Sequence, residues 1–338
     1  MSPTITAVIL AYGAEPWLER AVDSCLASTD ATVDVVVVDN GCTGDGIGLV
    51  KDKPGVKVVT PTENTGYAGG CMVGSAEATG EFIAFVNSDA IVEPPALARL
   101  AAVADEPGVG MAMGSIRLAD TPELINTSGN PMHYVGLVWA GGYEDPAEQH
   151  AERRSVLCGS GCCFVIRRDL WEKIDGFAPE YFAYHEDTEL SLRLWQQGYT
   201  VEYVPDAIVH HHYEFSRNAL KMHLLERNRL VVVLTTYSRR SLILLSPMLA
   251  LTESAMLVAS TLGKWGKPKV RGYRWLWQNR RWIAARRKRL QSERTVRDRE
   301  LVTRMASRID ASNAAAPPGV SVFNAVAGGY WWLVRRLI

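Results

Sequence analysis

The chain predicts an α/β fold built on a largely parallel sheet, followed by a helical, basic C-terminal region. Three observations predict it. Over residues 4–103, short apolar runs alternate with helical patterns, the signature of strands joined by crossover helices. Polar clusters, Asp39-Asn-Gly41 and Asn87-Ser-Asp89, stand directly after two of those runs, where open α/β sheets bind their ligands. Beyond residue 213 the pattern becomes long and helical, and includes a 22-residue apolar stretch at 241–262.

Each element follows from its local sequence. Thr6-Ala-Val-Ile-Leu10 reads as a buried strand, and residues 16–27 as a helix with Pro16 at its start and Trp17, Ala21, Val22 and Cys25 on one face. Asp34-Val-Val-Val-Val38 is a second strand, Val56-Lys-Val-Val59 a third and Phe82-Ile-Ala-Phe-Val86 a fourth, with a helix over 66–78 between the last two. Residues 109–212 mix strands with short helices. They are expected to hold an acceptor and complete the site begun by a nucleotide-binding half. The expected division is therefore a catalytic domain over 1–215, with halves 1–105 and 106–215, and a helical region over 216–338.

Composition narrows the class. A chain of 338 residues with 47% hydrophobic and 22% charged residues suits a globular core. The net charge of −1 conceals a segment, 264–300, with fourteen Lys and Arg against three Asp and Glu, a net of +11. The N-terminus has no basic segment ahead of an apolar run, so the catalytic part is expected in the cytoplasm. Six cysteines without paired C-x-x-C spacing read as small buried residues, and a zinc site is not expected.

The C-terminal region points to a membrane surface. The apolar stretch is long enough to span a bilayer, but Glu253 near its centre is expensive in hydrocarbon and Pro247 bends a helix. In the segment after it, Trp275, Trp277 and Trp282 are interleaved with arginines, the composition of a helix lying at the headgroups. The tail, 330–338, repeats the theme. An ordinary core helix is the alternative for 241–262. Nucleic acid is not expected as a partner, because the basic segment follows a membrane-length run and carries no recognition motif.

The residues expected to carry chemistry have competing structural roles. Glu186 and Asp187 stand where an amphipathic helix begins; the helix dipole favours an ionised carboxylate there, and N-capping explains the same pair. Asp39 suits a contact to a base or ribose, or an Asx turn. The glycines of Asn64-Thr-Gly-Tyr-Ala-Gly-Gly70 permit close backbone approach to a ligand at a helix start. Asp89 suits a divalent cation that bridges phosphates, or a cap before the next helix. The run His210-His-His212 ends a strand and offers either a metal ligand or satisfied core imidazoles.

In this order, Ala-Val-Ile-Leu, Val-Val-Asp-Asn, Asn-Thr-Gly-Tyr-Ala-Gly-Gly, Asn-Ser-Asp-Ala, Gly-Ser-Gly-Cys-Cys-Phe-Val-Ile-Arg-Arg, Gly-Phe, Glu-Asp-Thr-Glu-Leu and Val-His-His resemble the family-2 inverting glycosyltransferases of the GT-A fold, over about residues 4–230. Within that family the chain is most similar to the bacterial rhamnosyltransferase-like branch. The resemblance implies a GT-A mixed sheet with flanking helices and a membrane-associated C-terminal region. It implies that Ala11, Tyr12, Asp39, Asn64, Gly66, Gly70, Asn87 and Ser88 line a nucleoside-diphosphate sugar, with Asp39 reading the base. Asn87 and Asp89 occupy the D-x-D place; the first acid is Asn here, which leaves Asp89 as the metal carboxylate. His211 is implied as a second ligand or diphosphate contact, with the register within 210–212 open. Asp187 is implied as catalytic base with Glu186 as runner-up, and Gly159, Ser160 and Gly161 as acceptor contacts. Where relatives often continue the glycine run into Asn, this chain has Cys71 and Met72.

The expected activity is metal-dependent (Mg²⁺ or Mn²⁺) inverting transfer of a sugar, best rhamnose from dTDP-rhamnose, to a lipid-linked or polysaccharide acceptor in cell-envelope glycan synthesis, at the cytoplasmic face of the membrane. UDP-galactose or UDP-galactofuranose is the alternative donor, and a non-catalytic glycan-binding scaffold the alternative class. A nucleotidyltransferase is disfavoured, because Ala11-Tyr-Gly-Ala-Glu15 has no Lys or Arg to cradle a phosphate. Assembly into a homo-oligomer is compatible with the chain.

Overall fold

The computed structural model describes residues 2–213, 218–310 and 319–338. It divides into two compact units. The first comprises residues 1–130, 140–191 and 199–214, and the second 131–139, 192–198 and 215–338. The expected domain boundary at 215–216 lies outside the described residues.

The first unit is a ten-stranded mixed sheet with flanking helices. Its strands are β1 (Thr4–Gly13), β2 (Thr32–Cys42), β3 (Val56–Val59), β4 (Phe82–Asn87), β5 (Ala90–Val92), β6 (Val109–Leu118), β7 (Thr121–Thr127), β8 (Arg154–Ser155), β9 (Cys163–Arg167) and β10 (Thr200–His211). Its main path runs β3-β2-β1-β4-β9-β6-β10-β5, with β7 on β6 and β8 on β10. The pairs β2–β3, β1–β2, β1–β4 and β6–β10 are parallel. The strand β9 runs antiparallel to both β4 and β6, so the parallel pattern of the first hundred residues gives way to a mixed one.

The central strands need no alternation because both faces are covered. Ile5, Val8 and Ile9 of β1 and Val35 to Val38 of β2 are all buried. The helices of this unit are α1 (Leu18–Leu26), α2 (Gly46–Val50), α3 (Gly66–Ser75), α4 (Ala96–Ala104), α5 (Arg168–Lys173) and the first half of α6 (Glu186–Gln196). The first helix starts at Leu18 rather than at residue 16, because Gly13 and Glu15 take left-handed φ of +81° and +43° and carry the chain through a turn. All six cysteines are free, and five of them are buried.

The second unit is helical: α7 (Ala219–Thr236), α8 (Arg239–Leu262), α9 (Gly266–Gln278), α10 (Arg280–Glu293), α11 (Asp298–Val302) and α12 (Val320–Val334). The basic segment expected as one interfacial helix is two, α9 and α10. The break falls at Asn279, whose Nδ2 donates to the Trp275 carbonyl at 2.9 Å and so competes with the helical backbone bonding.

Among the described residues, α8 is the one helix of 24 residues with the length and hydropathy to cross a membrane. Only 17% of its most apolar window is buried, unlike a core helix. Its Glu253 is matched from neighbouring helices. Arg229 of α7 and Lys269 of α9 both pair with it, the latter at 2.8 Å, and Tyr273 donates to it at 2.6 Å. Glu226 completes the cluster, pairing with Arg229 at 3.2 Å and with Lys269.

Candidate active site

Parallel register brings the polar ends of three strands side by side. Ala11 of β1 pairs with Asp39 of β2, and Leu10 with Asn87 of β4, so Ala11, Asp39 and Asn87 lie at one edge of the sheet. Asp39 Oδ1 accepts from the Gly41 and Cys42 amides at 3.2 and 2.9 Å, an Asx-type turn in which Oδ2 makes no hydrogen bond among the described residues. Both roles considered for Asp39 therefore fit its position.

The next residue, Asn40, was not singled out by the sequence reading. It is buried, and its side chain shapes the Asn64-Thr65-Gly66 turn. Its Nδ2 donates to Asn64 Oδ1 at 2.9 Å, while its Oδ1 accepts from the Thr65 amide at 2.9 Å. Asn64 Oδ1 also accepts from the Gly66 amide at 2.8 Å, so Asn64 is spent in part on holding its own turn.

The glycines of this run serve packing as well as access. Gly66 has φ +69°, and a Cβ there would stand 2.3 Å from the Phe182 carbonyl oxygen. At Gly70 a Cβ would stand 1.8 Å from Leu10 Cδ1. The space Gly70 leaves is thus filled by β1, and helix–sheet packing, rather than approach of a ligand, accounts for it.

Tyr12 is exposed, and its amide donates to Glu15 Oε1 at 2.9 Å. Burial raises the pKa of Glu15 above the ordinary range, while a hydrogen bond from Ser88 opposes the rise. Glu15 therefore ties the first loop to the Asn87-Ser88-Asp89 turn. No sequence pattern marks it.

The three histidines separate by strand alternation and register. The strand β10 runs antiparallel to β5, with His211 opposite Ala90, and the His212 amide donates to the Asp89 carbonyl at 2.9 Å. His211 Nε2 then lies 3.2 Å from Asp89 Oδ1. His210 turns to Glu93 at 3.1 Å, and the His212 ring stacks on Trp17 with centroids 3.4 Å apart.

Asp89 and His211 fit a divalent cation. The other ring nitrogen of His211, Nδ1, lies 2.9 Å from Asn126 Oδ1, which can only accept. With Nδ1 directed there, Nε2 is the nitrogen that faces the Asp89 carboxylate, and a proton on it or a cation between the two would join them. Ligating histidines are usually oriented by such an outer partner. Among the described residues no group of three His, Cys, Asp or Glu gathers for a metal, and a divalent cation of the Mg²⁺ type commonly keeps phosphate oxygens and waters beside one or two protein ligands.

The carboxylate pair opens α6 as expected. Tyr184 and His185, directly before it, hold φ of +70° and +69°, a strained entry often found at functional sites. Asp187 Oδ2 accepts from the Gly161 amide at 3.0 Å, and Oδ1 from the Thr188 amide at 2.6 Å. Burial raises its pKa, and these bonds hold the rise in check. Glu186 is pushed well above the ordinary glutamate range, by burial first and then by the charge of Asp187. Its Oε2 has no hydrogen-bond partner among the described residues. The pair thus separates into an Asp187 whose hydrogen bonds offset part of the rise that burial causes and a buried Glu186 that favours its proton more strongly.

One loop links the two halves of this constellation. Gly159 donates to Ser191 Oγ at 3.1 Å, Gly161 donates to Asp187, and the next carbonyl, of Cys162, accepts from the Asn87 amide at 2.8 Å. Tyr67 of α3 donates to the Gly161 carbonyl at 2.6 Å. Ser160 is buried and its Oγ accepts from the Cys162 amide at 3.3 Å. Gly159 packs against Met111, where a Cβ would stand 2.2 Å from its methyl carbon. Of the loop expected to contact acceptor, Gly161 is the residue whose amide reaches the Asp187 carboxylate.

Comparisons with known proteins agree with this architecture. The model of the family described as glycosyl transferase family 2 matches residues 6–175, and that described as the N-terminal domain of galactosyltransferase matches residues 152–217. The chain is 30% identical over 240 residues to an N-acetylglucosaminyl-diphospho-decaprenol L-rhamnosyltransferase of Mycobacterium tuberculosis, covering 63% of this chain and 77% of that protein. It is 28% identical to an N-acetylglucosaminyltransferase of Sinorhizobium fredii, covering 61% of this chain and 52%, about half, of the relative. Among solved structures, GalNAc-T7 with UDP, GalNAc and Mn²⁺ superposes with a TM-score of 0.58 at 18% identity, over 71% of this chain and 49% of that one. A mannosyltransferase of Pyrobaculum calidifontis with GDP-Man and Mn²⁺ gives 0.51 at 16%, over 100% and 83%. The chain is a glycosyltransferase of the GT-A fold and belongs to glycosyl transferase family 2.

Proposed function

We propose that this enzyme is an inverting glycosyltransferase that moves rhamnose from dTDP-rhamnose to a polyprenyl-diphosphate-linked sugar in cell-envelope glycan synthesis. The observation that carries the reading is the loop that bonds the Asp187 carboxylate through Gly161 and the Asn87 amide through Cys162. It sets a candidate base and a candidate diphosphate site on one frame. The donor and acceptor rest on the printed activity of the mycobacterial relative.

In this reading Asp39, through Oδ2, contacts the base, and Asn64, Gly66, Ala11 and Tyr12 border the nucleotide. Asn87 and Ser88 face the diphosphate. Asp89 and His211 would hold Mg²⁺ or Mn²⁺, which when bound would supply positive charge against the leaving diphosphate. Asp187 takes the proton of the acceptor hydroxyl as that oxygen attacks the anomeric carbon, and the carbon–oxygen bond to the diphosphate breaks with its electron pair leaving on the nucleotide. Glu186, keeping its proton, leaves a single anionic base in the site. One displacement inverts the anomeric centre, so no enzyme nucleophile is required.

A monotopic attachment fits the second unit better than a span. Crossing the bilayer by α8 would carry the Glu253, Arg229 and Lys269 cluster into hydrocarbon. Lying at the surface, α8 offers Ile243, Val258 and Leu262, more than 60% exposed, to the lipid. The enzyme thus works at the cytoplasmic face, where a lipid-linked acceptor is presented.

The galactosyltransferase match over 152–217 favours a second reading of the donor as a UDP-hexose. Both are tested by incubating the full chain and a polyprenyl-diphospho-N-acetylglucosamine with dTDP-rhamnose, UDP-galactose or UDP-N-acetylglucosamine and measuring nucleoside-diphosphate release. Release is expected to be fastest from dTDP-rhamnose, to stop in chelator and to return with Mn²⁺ or Mg²⁺. Faster release from UDP-galactose selects the second reading, and undiminished release in chelator removes the metal from Asp89 and His211.

A further inference from the structure

A cavity in the second unit has the makings of an anion site. It encloses about 640 Å³ between the start of α8, the α10–α11 connection and the chain after α12. Arg240, Arg294, Arg297, Arg299 and Arg336 line it, with Asp298 as the one acidic side chain and Leu337 and Ile338 beside them. That acid is already engaged: it pairs with Arg294, accepts from the Ser238 amide at 2.8 Å and accepts from the Ser241 hydroxyl. Arg240, Arg297, Arg299 and Arg336 make no ion pair among the described residues. Four cations gathered around one recess repel one another and favour a polyvalent anion between them.

The surroundings indicate where that anion resides. Arg240 precedes the exposed Ile243 by one helical turn of α8, and Arg336 adjoins the exposed Leu333 and Leu337. The Arg336 guanidinium lies 4.4 Å from the ring centroid of Trp332, itself exposed. Arginine and tryptophan bordering apolar side chains are the arrangement that meets phosphates at the edge of a bilayer. A soluble phosphate would need the arginines but would not need these apolar neighbours.

We infer that this cavity binds the phosphate headgroup of an anionic membrane phospholipid, a site separate from the sugar-transfer constellation. The inference rests on the surface attachment proposed above and adds a lipid preference to it. Each arginine near an anionic surface contributes about 1 kcal/mol.

The test is flotation of the full chain with phosphatidylcholine vesicles, and with vesicles containing about one-third phosphatidylglycerol, a composition that presents a charged surface. Wild type is expected to bind both and to favour the anionic vesicles. The exposed triple variant Arg240→Gln/Arg297→Gln/Arg299→Gln is expected to lose at least about tenfold of the anionic preference and to keep wild-type binding to phosphatidylcholine, which also reports that its fold is intact. Equal binding of wild type to both vesicles, or an unchanged preference in the variant, overturns the inference and leaves surface attachment standing. No binding to either vesicle overturns the attachment reading itself. Inorganic diphosphate that binds wild type without vesicles, loses that binding in the variant and leaves vesicle preference unaltered reassigns the cavity to a soluble anion, and overturns the lipid assignment.

Discussion

Asp187→Asn is expected to lower sugar transfer by about 10²- to 10⁴-fold, the usual contribution of a positioned general base, while leaving the fold and donor binding intact. The amide is isosteric, and one of its ends still accepts from the Gly161 or Thr188 amide. It cannot take a proton at the reacting oxygen. Steady-state rates with saturating acceptor, alongside a donor dissociation constant, separate these effects. A kcat at the wild-type level would remove Asp187 from the base role. The wild-type pH profile carries the same prediction with a defined sign. The base works when deprotonated, and burial raises its pKa. Activity is therefore lost as pH falls, beginning above the range of an ordinary aspartate, and the limb reports the Glu186–Asp187 pair as a unit.

Glu253→Ala is expected to cost about 3 kcal/mol of stability, at the lower end of what breaking a buried ion pair removes. Arg229 and Lys269 are each 1% exposed, and the substitution leaves Glu226 as their one remaining acidic partner among the described residues. Two cations then share one carboxylate away from water. Tyr273 also loses its acceptor. Urea unfolding of the detergent-solubilised chain measures the change as a lower midpoint. An unchanged midpoint would mean that the cluster is solvated and that α7, α8 and α9 are held together by apolar packing alone.

The parts of the fold that could be read in advance are those encoded locally. The valine run of β2 and the apolar runs of β1 and β4 are buried on both faces and stand out without partners. The antiparallel placement of β9 and the pairing of the three-residue β5 with β10 depend on contacts far apart in the chain, and no local pattern announces them. The candidate site divides in the same way. Asp187, Asp89 and His211 stand in ordered motifs that are visible in the sequence. Asn40, Asn126 and Glu15 are single polar residues whose roles depend on partners distant in sequence; Asn126 meets His211 across 85 residues. The only hint for Asn40 was its place beside Asp39 at a strand end. Alternation along β10 separates His211 from its neighbours, but the face that meets Asp89 is set by the register with β5. Glu253 looked anomalous in an apolar stretch because its counter-charges lie on α7 and α9.

A single displacement assisted by Asp187 is the proposed chemistry, and the anomeric configuration of the product distinguishes it from every retaining route. Proton NMR of the glycan formed from a donor of known anomer should give the opposite configuration at the transferred sugar. Retention of the donor configuration would require two displacements or a front-face route, and would contradict the role assigned to Asp187.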